Sequence, residues 1–421
     1  MPGLLVEHAE DAGQSPPAAD RAKDESPPVT AAGPGQAVPT PLLSVAVVAE
    51  QLRRRVPGGI GTYVTCLVRG LAGLPAPPRV TLIAGRLGRP GGVSEQIGSG
   101  LRIPAFGPPL PTELVTRLWD RGLLSAGAVG RRADVVHATS MAIPPLESAV
   151  RRHLPTRRRR PILTAMVHDL AWRRFPESVP ARGRRWHEDG LRRLAREAAA
   201  VVVPSEQTAD ELGSASAGFD TSRIVVIPEG ADGLPAPDAV AAAAFLRRLD
   251  VDGPYLLTVS TLEPRKNLER LVAAYAAIRS SLPEPWPLVV VGPPGWGPAL
   301  APAPGVVLAG RADEAVLSAL YASARVVAYV PLAEGFGLPA VEAMSAGAPL
   351  VVSSGVPSAT PAVTGVDPFD VDAIAGALFR AGTDEAWRAE LVAAGRQHAA
   401  GLSWEETAGR HLAWWTSLRA G

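Results

Sequence analysis

Cysteine is nearly absent from this sequence, because Cys66 is the only one among 421 residues. A single thiol excludes an internal disulfide and a metal site built from several cysteines, which favours a reducing compartment such as the cytoplasm. Cys66 itself stands among apolar residues of a predicted helix, where a small buried side chain is more common than a nucleophile. We therefore assign it to the core.

Net charge and aromatic side chains are also scarce. Lys and Arg number 42 against 41 for Asp and Glu, which gives a formal charge of +1, and aromatic residues make up 5%. This balance excludes a bulk electrostatic attraction to nucleic acid. Because 47% of the residues are hydrophobic, the chain as a whole is predicted to be globular rather than disordered.

Long apolar runs are missing throughout the sequence. No stretch approaches the roughly 18 consecutive apolar residues that a membrane-spanning helix needs, so any membrane contact is expected to be peripheral. Residues 1–42 are rich in Pro, Ala, Asp and Glu and lack the apolar core of a signal peptide. We expect this segment to be a disordered, acidic leader.

From Leu43 onwards, short apolar runs alternate with longer segments of helical period, the pattern of a mainly parallel α/β sheet. The length indicates two domains, and residues 229–243, rich in Gly, Pro and Ala, form the predicted linker. Two doubly wound halves imply a cleft that faces the carboxyl ends of both sheets. The predicted strands are 43–49, 79–85, 134–139, 162–169, 200–205 and 223–228 in the first half, and 254–260, 287–292, 305–310, 324–330 and 349–354 in the second.

Arg265 and Lys266 lie at a predicted strand-to-helix corner, within the stretch STLEPRKNLERLVAAY. Fixed cations beside the free amides and the positive end of a helix make a binding site for a phosphate or diphosphate. A solvated surface turn is the alternative interpretation of such a pair. The residues alone leave both interpretations open.

Two glutamates flank a glycine-rich turn in the stretch PLAEGFGLPAVEAMSAGAPLV. Pro339 suits the first turn of a helix and Gly347 its end, so Glu334 falls in the preceding loop and Glu342 inside the helix. The intervening glycines allow the backbone to approach a ligand, and carboxylates accept hydrogen bonds from hydroxyl groups. The loop therefore suits a sugar or ribose, although Glu342 could merely favour the helix start.

Two further loops carry weaker signals. VPGGIGTY over residues 56–63 lacks the G-x-G-x-x-G spacing of a dinucleotide site, but Gly58 and Gly59 allow the backbone to approach a diphosphate. His168 and Asp169 close the predicted strand 162–169, at the edge where such sheets carry their active sites. A lone histidine is more often structural, and the sequence leaves this alternative open.

Taken together, these loops resemble the retaining glycosyltransferases of family 4 over residues 43–420. The most specific element is the E-x7-E motif formed by Glu334 and Glu342, and TLEPRKN, VHDLAWRRFPE, PGGIG and SWEET add independent support. The resemblance implies the GT-B fold, an α/β architecture of two facing Rossmann-like, doubly wound domains with an interdomain cleft. It implies an acceptor-binding domain at 43–235, a nucleotide-sugar-binding domain at 236–400 and a last helix at 401–421 that crosses back.

The resemblance also implies a role for each candidate residue. Arg265 and Lys266 would hold the diphosphate leaving group. Glu334 and the glycine loop would bind the donor sugar, and Glu342 would bind the ribose. The histidine would lie near the transferred sugar. The implied catalytic residues are His168, Arg265, Lys266 and Glu334, and the implied donor-binding residues are Gly58, Gly59, Gly335, Phe336, Gly337, Leu338 and Glu342.

The implied activity is the transfer of a hexose, with retention, from a GDP- or UDP-linked sugar to a hydroxyl of a saccharide or lipid-linked acceptor in the cytoplasm. TLEPRKNLERL looks closest to mannosyltransferase-like members, which suggests mannose. No metal or other cofactor is implied, and no nucleic-acid partner. The alternatives are an inverting GT-B transferase or nucleotide-sugar epimerase, and a non-catalytic binding protein of the same fold.

Two departures from the family pattern stand out. Glu229 occupies a position where Asn or a small residue is commoner, and the loop after Ser354 is short. The non-catalytic alternative would gain weight if this short loop disrupted the cleft.

Arginine clusters in the amino-terminal half predict attraction to anionic lipid on the inner face of the plasma membrane, with a solvated surface as the alternative. These clusters contain Arg151, Arg152, residues 157–160, Arg173, Arg174, Arg182, Arg184 and Arg185.

Overall fold

The computed structural model describes residues 42–87, 92–98, 100–130, 132–146, 160–215, 219–284, 286–359, 363 and 365–420. Two sequence predictions lie largely outside these ranges. They are the acidic leader, of which only Leu42 is described, and the first arginine cluster, of which only Arg160 is described.

The first half of the chain forms a seven-stranded sheet in which every pairing is parallel. Its strands are β1 (Ser44–Val48), β2 (Arg79–Ile83), β3 (Ala105–Phe106), β4 (Val135–Ala138), β5 (Ile162–Met166), β6 (Ala200–Val203) and β7 (Ile224–Val226). They are arranged in the order β3-β2-β1-β4-β5-β6-β7. The order reverses between β1 and β4, which creates the switch point where doubly wound sheets bind ligands.

The second half forms a five-stranded parallel sheet with the same kind of order, β10-β9-β8-β11-β12. Its strands are β8 (Leu256–Val259), β9 (Leu288–Val291), β10 (Val306–Gly310), β11 (Val326–Tyr329) and β12 (Leu350–Val352). Its switch point lies between β8 and β11. The two sheets confirm the predicted α/β class.

The helices follow the strands in the alternation that the sequence predicts. They are α1 (Gly58–Gly73), α2 (Val93–Ile97), α3 (Thr112–Asp120), α4 (Gly127–Gly130), α5 (Ala171–Arg174), α6 (Ala181–Glu197), α7 (Glu206–Ala215), α8 (Ala239–Arg247), α9 (Leu268–Ile278), α10 (Glu314–Ser323), α11 (Leu338–Ala346), α12 (Val371–Thr383), α13 (Glu385–Ala399) and α14 (Trp404–Ala420). Within the described ranges, none is long and apolar enough to span a membrane.

The central strands are buried on both faces. In β1, Val45 and Val47 join one hydrophobic cluster, and the alternate residues Ala46 and Val48 join another on the opposite face. This explains the unbroken apolar runs in the sequence. Every predicted strand is present, whereas β3 was not predicted, because its two residues, Ala105 and Phe106, are too few to show a strand pattern in the sequence.

The last helix, α14, packs against α1 of the first sheet. Trp415 is fully buried and Trp414 nearly so, which anchors this helix on the first half of the chain. Ser403 Oγ accepts a hydrogen bond from the Glu406 N–H, which caps the start of the helix. Arg419 adds an ion pair to Asp134, just before β4.

A buried chain of hydrogen bonds joins α14 to the first sheet through Tyr63 of α1. The Tyr63 hydroxyl lies 2.9 Å from Nε2 of both His137 and His411. His411 Nδ1 lies 2.8 Å from the Thr407 carbonyl, which can only accept, so His411 carries its hydrogen on Nδ1 when neutral. Its Nε2 therefore accepts from Tyr63, whose oxygen accepts in turn from His137.

The segment 229–243 connects the two sheets but is not a free linker. Residues 239–243 already belong to α8. Ala231 donates its N–H to the Leu402 carbonyl, and Asp232 accepts from the Trp404 N–H. The Gly and Ala content that suggested a linker instead permits close packing, because a Cβ on Gly230 would stand 2.3 Å from the Trp404 nitrogen.

Candidate functional site

A cleft of about 720 Å³ opens where the carboxyl ends of both sheets meet. This volume lies within the range of small-molecule sites. All the candidate residues from the sequence line this one cleft: Gly58, Gly59, His168, Arg265, Lys266, Glu334, Gly335, Phe336, Gly337, Leu338 and Glu342. Each follows the carboxyl end of a strand or lies in the helix that comes after it, which is why chain-distant residues converge here.

The first glutamate and the two cations form a single cluster. Glu334 Oε1 lies 2.9 Å from Arg265 Nη1, 2.5 Å from Lys266 Nζ and 2.8 Å from the Tyr329 hydroxyl. Within the described part of the chain, all the contacts of this carboxylate fall on Oε1. The second oxygen, Oε2, is the one that could accept a hydrogen bond from a ligand hydroxyl.

Glu334 stays ionised at any physiological pH. Burial alone would raise the pKa of Glu334, but the neighbouring Arg265 and Lys266 outweigh it and lower that pKa to about 2. The side chains of the three residues are only 10–16% exposed. The sequence suggests separate roles, with Arg265 and Lys266 for a phosphate and Glu334 for a sugar. In the structure these three residues are electrostatically coupled.

Arg265 is fixed by further contacts that the sequence did not predict. Its guanidinium donates to the Ala333 carbonyl at 2.9 Å and to Glu263 Oε1 at 3.0 Å. The second oxygen of Glu263 accepts from the indole Nε1 of Trp296 at 3.1 Å. Glu263 and Trp296 both line the cleft. The guanidinium is thus held in one orientation before any ligand binds.

The second glutamate, Glu342, lies in the first half of α11 and contacts a different partner. The Tyr321 hydroxyl of α10 donates to Glu342 Oε2 at 3.1 Å. Burial raises the pKa of Glu342 to about 7, although this hydrogen bond acts in the opposite direction. The helix begins at Leu338 and ends before Gly347, as predicted. Glu342 therefore titrates near neutral pH within the cleft wall.

The glycine loop at residues 335–337 contacts the amino-terminal lobe, the half of the chain that carries the seven-stranded sheet. The half with the five-stranded sheet is the carboxyl-terminal lobe. A Cβ on Gly335 would stand 1.6 Å from the His168 carbonyl oxygen, so only glycine fits. The Gly335 carbonyl accepts from the Ser205 hydroxyl at 2.6 Å and from the Thr208 hydroxyl at 3.2 Å. Gly337 adopts a φ of 106°, in the region that favours glycine. These contacts hold the glycine loop in place at the wall of the cleft.

The short loop after Ser354 supports this glycine loop. The Ser358 N–H donates to the Phe336 carbonyl at 3.1 Å, and the Ser358 hydroxyl to the Gly337 carbonyl at 3.2 Å. Val356 and Ala359 are fully buried beside it. The described residues of the short loop thus form a packed floor, and they do not disrupt the cleft.

The first glycine loop begins a helix earlier than predicted. Gly58 and Gly59 are the first residues of α1, with Gly58 at a φ of +61°. The first N–H groups of a helix have no partners within it, so they can bind an anion. A Cβ on Gly59 would lie 3.8 Å from Leu338 Cδ1, which shows how closely the two lobes approach here.

The similarity to known families agrees with this geometry. Residues 57–232 match the model described as Glycosyltransferase Family 4, and residues 253–384 match Glycosyl transferases group 1. O-antigen chain mannosyltransferase B of Escherichia coli is 30% identical over 268 residues, which cover 60% of this chain and 69% of that relative. The chain belongs to glycosyltransferase family 4.

Other relatives of this glycosyltransferase are named for other substrates. The D-inositol 3-phosphate glycosyltransferase of Segniliparus rotundus is 30% identical over 227 residues, covering 48% of this chain and 49% of the relative. Two solved structures share the GT-B fold, and at their level of identity they establish the fold alone. Sucrose-phosphate synthase of Thermosynechococcus elongatus has a TM-score of 0.66, 22% identity and coverage of 90% and 99% of the two chains. HepE of Anabaena, solved with UDP-glucose, has a TM-score of 0.63, 17% identity and coverage of 89% and 99%.

His168 of the glycosyltransferase lies just after β5, between two oxygen atoms that can accept hydrogen bonds. Its Nε2 is 3.0 Å from the Thr139 carbonyl oxygen, and its Nδ1 is 3.4 Å from Glu229 Oε1. Its side chain is 19% exposed. The imidazole is therefore held firmly, yet one part of it faces the cleft.

A second cavity of about 520 Å³ joins the cleft on the amino-terminal side. The two spaces share Gln51, Ile60, His168 and Asp169. Two tryptophans line the second cavity, and their indole nitrogens are fixed by carboxylates, Trp172 on Glu188 at 2.8 Å and Trp186 on Asp120 at 3.0 Å. Aromatic faces beside carboxylates suit a ring that carries hydroxyl groups.

Sequence reasoning missed Glu229, Tyr329 and Glu263 as members of the site. Glu229 was noted only as unusual, and Tyr329 lay within the predicted strand 324–330 without being singled out. Glu229 follows β7, Tyr329 ends β11, and Glu263 comes shortly before Arg265. These positions could have indicated the site, because the carboxyl ends of parallel strands meet at one edge of a sheet.

Proposed function

We propose that this glycosyltransferase transfers a hexose, with mannose as the favoured sugar, from a nucleoside-diphosphate donor to a hydroxyl of a saccharide or lipid-linked acceptor. The observation that carries the proposal is the contact of Arg265 and Lys266 with one oxygen of Glu334 in the cleft. Two fixed cations suit the charge that builds on a diphosphate as the glycosidic bond breaks. The mannosyl preference is supported by the similarity to the E. coli mannosyltransferase.

Retention of the anomeric configuration is part of the proposal. Glu334 is bound by cations, and Glu342 lies in a helix wall bonded to Tyr321, so neither carboxylate has the freedom of a dedicated nucleophile. A front-face reaction, in which the leaving phosphate takes the acceptor proton, needs none. An inverting transferase or epimerase is the alternative, and NMR of the product's anomeric centre distinguishes them.

We place the donor in the cleft and the acceptor in the second cavity. The amino-terminal ends of α1 and α11 contribute free N–H groups to the part of the cleft proposed for the donor. Arg265 and Lys266 would neutralise the diphosphate, so we propose that no metal ion or other cofactor is required. Trp186 would pack against the acceptor ring, and Trp172, which is buried and stacked on His187, would support that wall of the cavity.

Peripheral membrane contact at the cytoplasmic face stays a proposal for a lipid-linked acceptor. Part of the described arginine cluster is neutralised, since Arg173 pairs with Glu188 and Arg174 with Glu211. The exposed Arg182 and Arg185 are the remaining candidates. Vesicles of anionic lipid should sediment the protein at low salt, and a protein that stays in the supernatant would remove this part of the proposal.

Calorimetry with a panel of nucleotide sugars tests the donor site. GDP-mannose, UDP-glucose, UDP-GlcNAc and dTDP-rhamnose are titrated into the wild type and into the double variant Arg265→Ala/Lys266→Ala. Each lost charge-assisted contact is worth about 1.5–3 kcal/mol, so affinity should fall at least tenfold. The matched control removes two arginines of α12 and α13 that do not line the cleft, Arg380→Ala/Arg388→Ala; Arg380 is exposed and Arg388 is partly exposed.

A third variant guards against misfolding, because the double variant leaves Glu334 buried without its cations. Lys266→Gln combined with Glu334→Gln removes one cation and the carboxylate charge together. It should fold and bind the donor more weakly than the wild type. Equal donor affinity in all variants would refute the proposed diphosphate site.

A further inference from the structure

Trp296 is an aromatic side chain in the cleft wall that the proposed reaction leaves without a role. Of the Phe, Tyr and Trp side chains that line the cleft within the described ranges, Tyr329 and Phe336 are at most 7% exposed, whereas Trp296 is only half-buried. Its indole Nε1 donates to Glu263 Oε2 at 3.1 Å, so its one polar atom already has a partner. The rest of its accessible ring is apolar and suits a flat ligand group.

The segment that carries Trp296 is tied to the neighbouring strand extension. The Leu262 N–H donates to the Pro293 carbonyl at 3.1 Å, and the Leu262 carbonyl accepts from the Gly295 N–H at 3.1 Å. A Cβ on Gly295 would stand 2.5 Å from the Leu262 carbonyl oxygen, so this close approach requires glycine. The indole is therefore supported before a ligand binds, which lowers the entropic cost of binding.

The strand order of the second sheet arranges the cleft residues in the same sequence as the parts of a nucleotide sugar. The neighbouring strands β11, β8, β9 and β10 are followed by Glu334, Arg265, Trp296 and Arg311 respectively, and all four residues line the cleft. Under the proposed function, Glu334 contacts the sugar and Arg265 the diphosphate. The nucleoside then extends towards the ends of β9 and β10, where Trp296 lies.

Glu342, the candidate ribose contact, agrees with this direction. Its carboxylate accepts from the hydroxyl of Tyr321 in α10, the helix that begins shortly after β10. The ribose would thus be bound on the side of the cleft that β10 and α10 form. The base, which is attached to the ribose, would lie over the same part of the sheet edge.

We propose that the nucleobase of the donor stacks on the indole face of Trp296, which makes Trp296 a specificity-determining residue of the donor site. This inference rests on the proposed function, because it requires a nucleoside-diphosphate donor. Every base has a flat aromatic face, so stacking on an aromatic side chain contributes to binding before any hydrogen bond selects the base. Glu263 holds the indole on one side and Arg265 on the other, so the same carboxylate orients the contacts for the base and for the diphosphate.

Two variants that share one loss and differ in the aromatic face test the stacking. Trp296→Phe and Trp296→Leu both lose the indole N–H and its bond to Glu263, but only the Phe variant retains a ring. Calorimetry measures the binding of GDP, ADP, UDP and dTDP and, as a probe without a base, inorganic pyrophosphate. For the nucleotide that the wild type binds most tightly, the affinity of the Leu variant should be about tenfold below that of the Phe variant. Pyrophosphate should bind both variants equally.

Tryptophan fluorescence locates the base independently, because a base stacked on an indole quenches its emission. The nucleotide should quench the fluorescence of the wild type, and pyrophosphate should not. Trp296→Phe should still bind the nucleotide, but most of the quenching should be gone. Trp387→Phe, in α13 and outside the cleft lining, is the matched control and should retain the quenching.

The outcomes separate this inference from the proposed function. Equal nucleotide affinity in the Phe and Leu variants, or full quenching in Trp296→Phe, would overturn the stacking alone. Loss of pyrophosphate binding in both variants would also overturn it, since Trp296 would then act only through Glu263 on Arg265. A wild type that binds pyrophosphate but none of the nucleotides would refute the proposed nucleotide-sugar donor, and the stacking with it.

Discussion

The backbone of Gly335 passes so close to His168 that a Cβ on residue 335 would stand 1.6 Å from the His168 carbonyl oxygen. The two residues lie in loops that follow strands of different sheets, and this contact brings the two lobes together at the wall of the cleft. The Ser205 hydroxyl reinforces it by donating to the Gly335 carbonyl. The geometry of the cleft thus depends on the absence of one side chain.

Gly335→Ala should therefore separate the lobes and reduce kcat/KM by about a hundredfold, since a displacement near 1 Å at a reacting centre has effects of that size. Steady-state kinetics and thermal unfolding check this together. Gly409→Ala is the matched control, because a Cβ on Gly409 meets nothing within 4 Å. Full activity in Gly335→Ala would show that the contact is dispensable.

Glu334→Ala should reduce both stability and turnover. It leaves Arg265 and Lys266 nearly buried without their shared carboxylate, and breaking such a pair costs about 3 kcal/mol or more. Urea unfolding measures this loss. Glu334→Gln retains an acceptor for Lys266 and should lose less stability. A stable and fully active Glu334→Ala would mean that neither the cations nor the sugar depend on this carboxylate.

Donor affinity should increase with pH through the titration of Glu342. Burial raises the pKa of this carboxyl from about 4.5 to about 7, so it is mostly protonated at pH 6 and mostly ionised at pH 8. If the ionised form accepts from a ribose hydroxyl, affinity improves by up to about tenfold across this range. Calorimetry at both pH values should show the change in the wild type and not in Glu342→Gln.

The stability of the protein should fall as the pH drops from 6.5 towards 4. Burial lowers the pKa of His411 from 6.5 to about 4, so between these values the unfolded chain binds a proton that the folded chain does not. The contribution of His411 to the free energy of unfolding is fully present above pH 6.5. About 2 kcal/mol of it is lost between pH 7 and pH 5. Urea unfolding of His411→Gln should show a weaker pH dependence, and an identical one would contradict the assignment.

Chelation of divalent metals should leave the activity unchanged. Arg265 and Lys266 already supply two positive charges where the diphosphate is proposed to lie. Assays after EDTA treatment, with and without added Mg²⁺ or Mn²⁺, measure the requirement. A loss of activity that Mg²⁺ or Mn²⁺ restores would show that the cations alone do not neutralise the leaving group.

Much of the fold could be predicted because buried parallel strands leave continuous apolar runs such as AVVV at β6. The candidate residues could be predicted because they follow those strands. The pairings could not, since Lys266 and Glu334 are 68 positions apart and their contact depends on tertiary packing. The same holds for the contact of Glu229 with His168. Local patterns place a residue at a sheet edge but do not specify its neighbour there.

The order of synthesis gives the hydrogen bond between Tyr63 and His411 a further meaning. Tyr63 is made 348 residues before its partner, and α14 covers a face of α1 that is translated near the beginning. At translation rates of roughly 5–20 residues per second, that face stays uncovered for some tens of seconds. The lobe that is synthesised first is thus completed last. A polypeptide that terminates before residue 404 would lack α14 and leave α1 uncovered. Such a polypeptide would be bound by chaperones and cleaved by proteases.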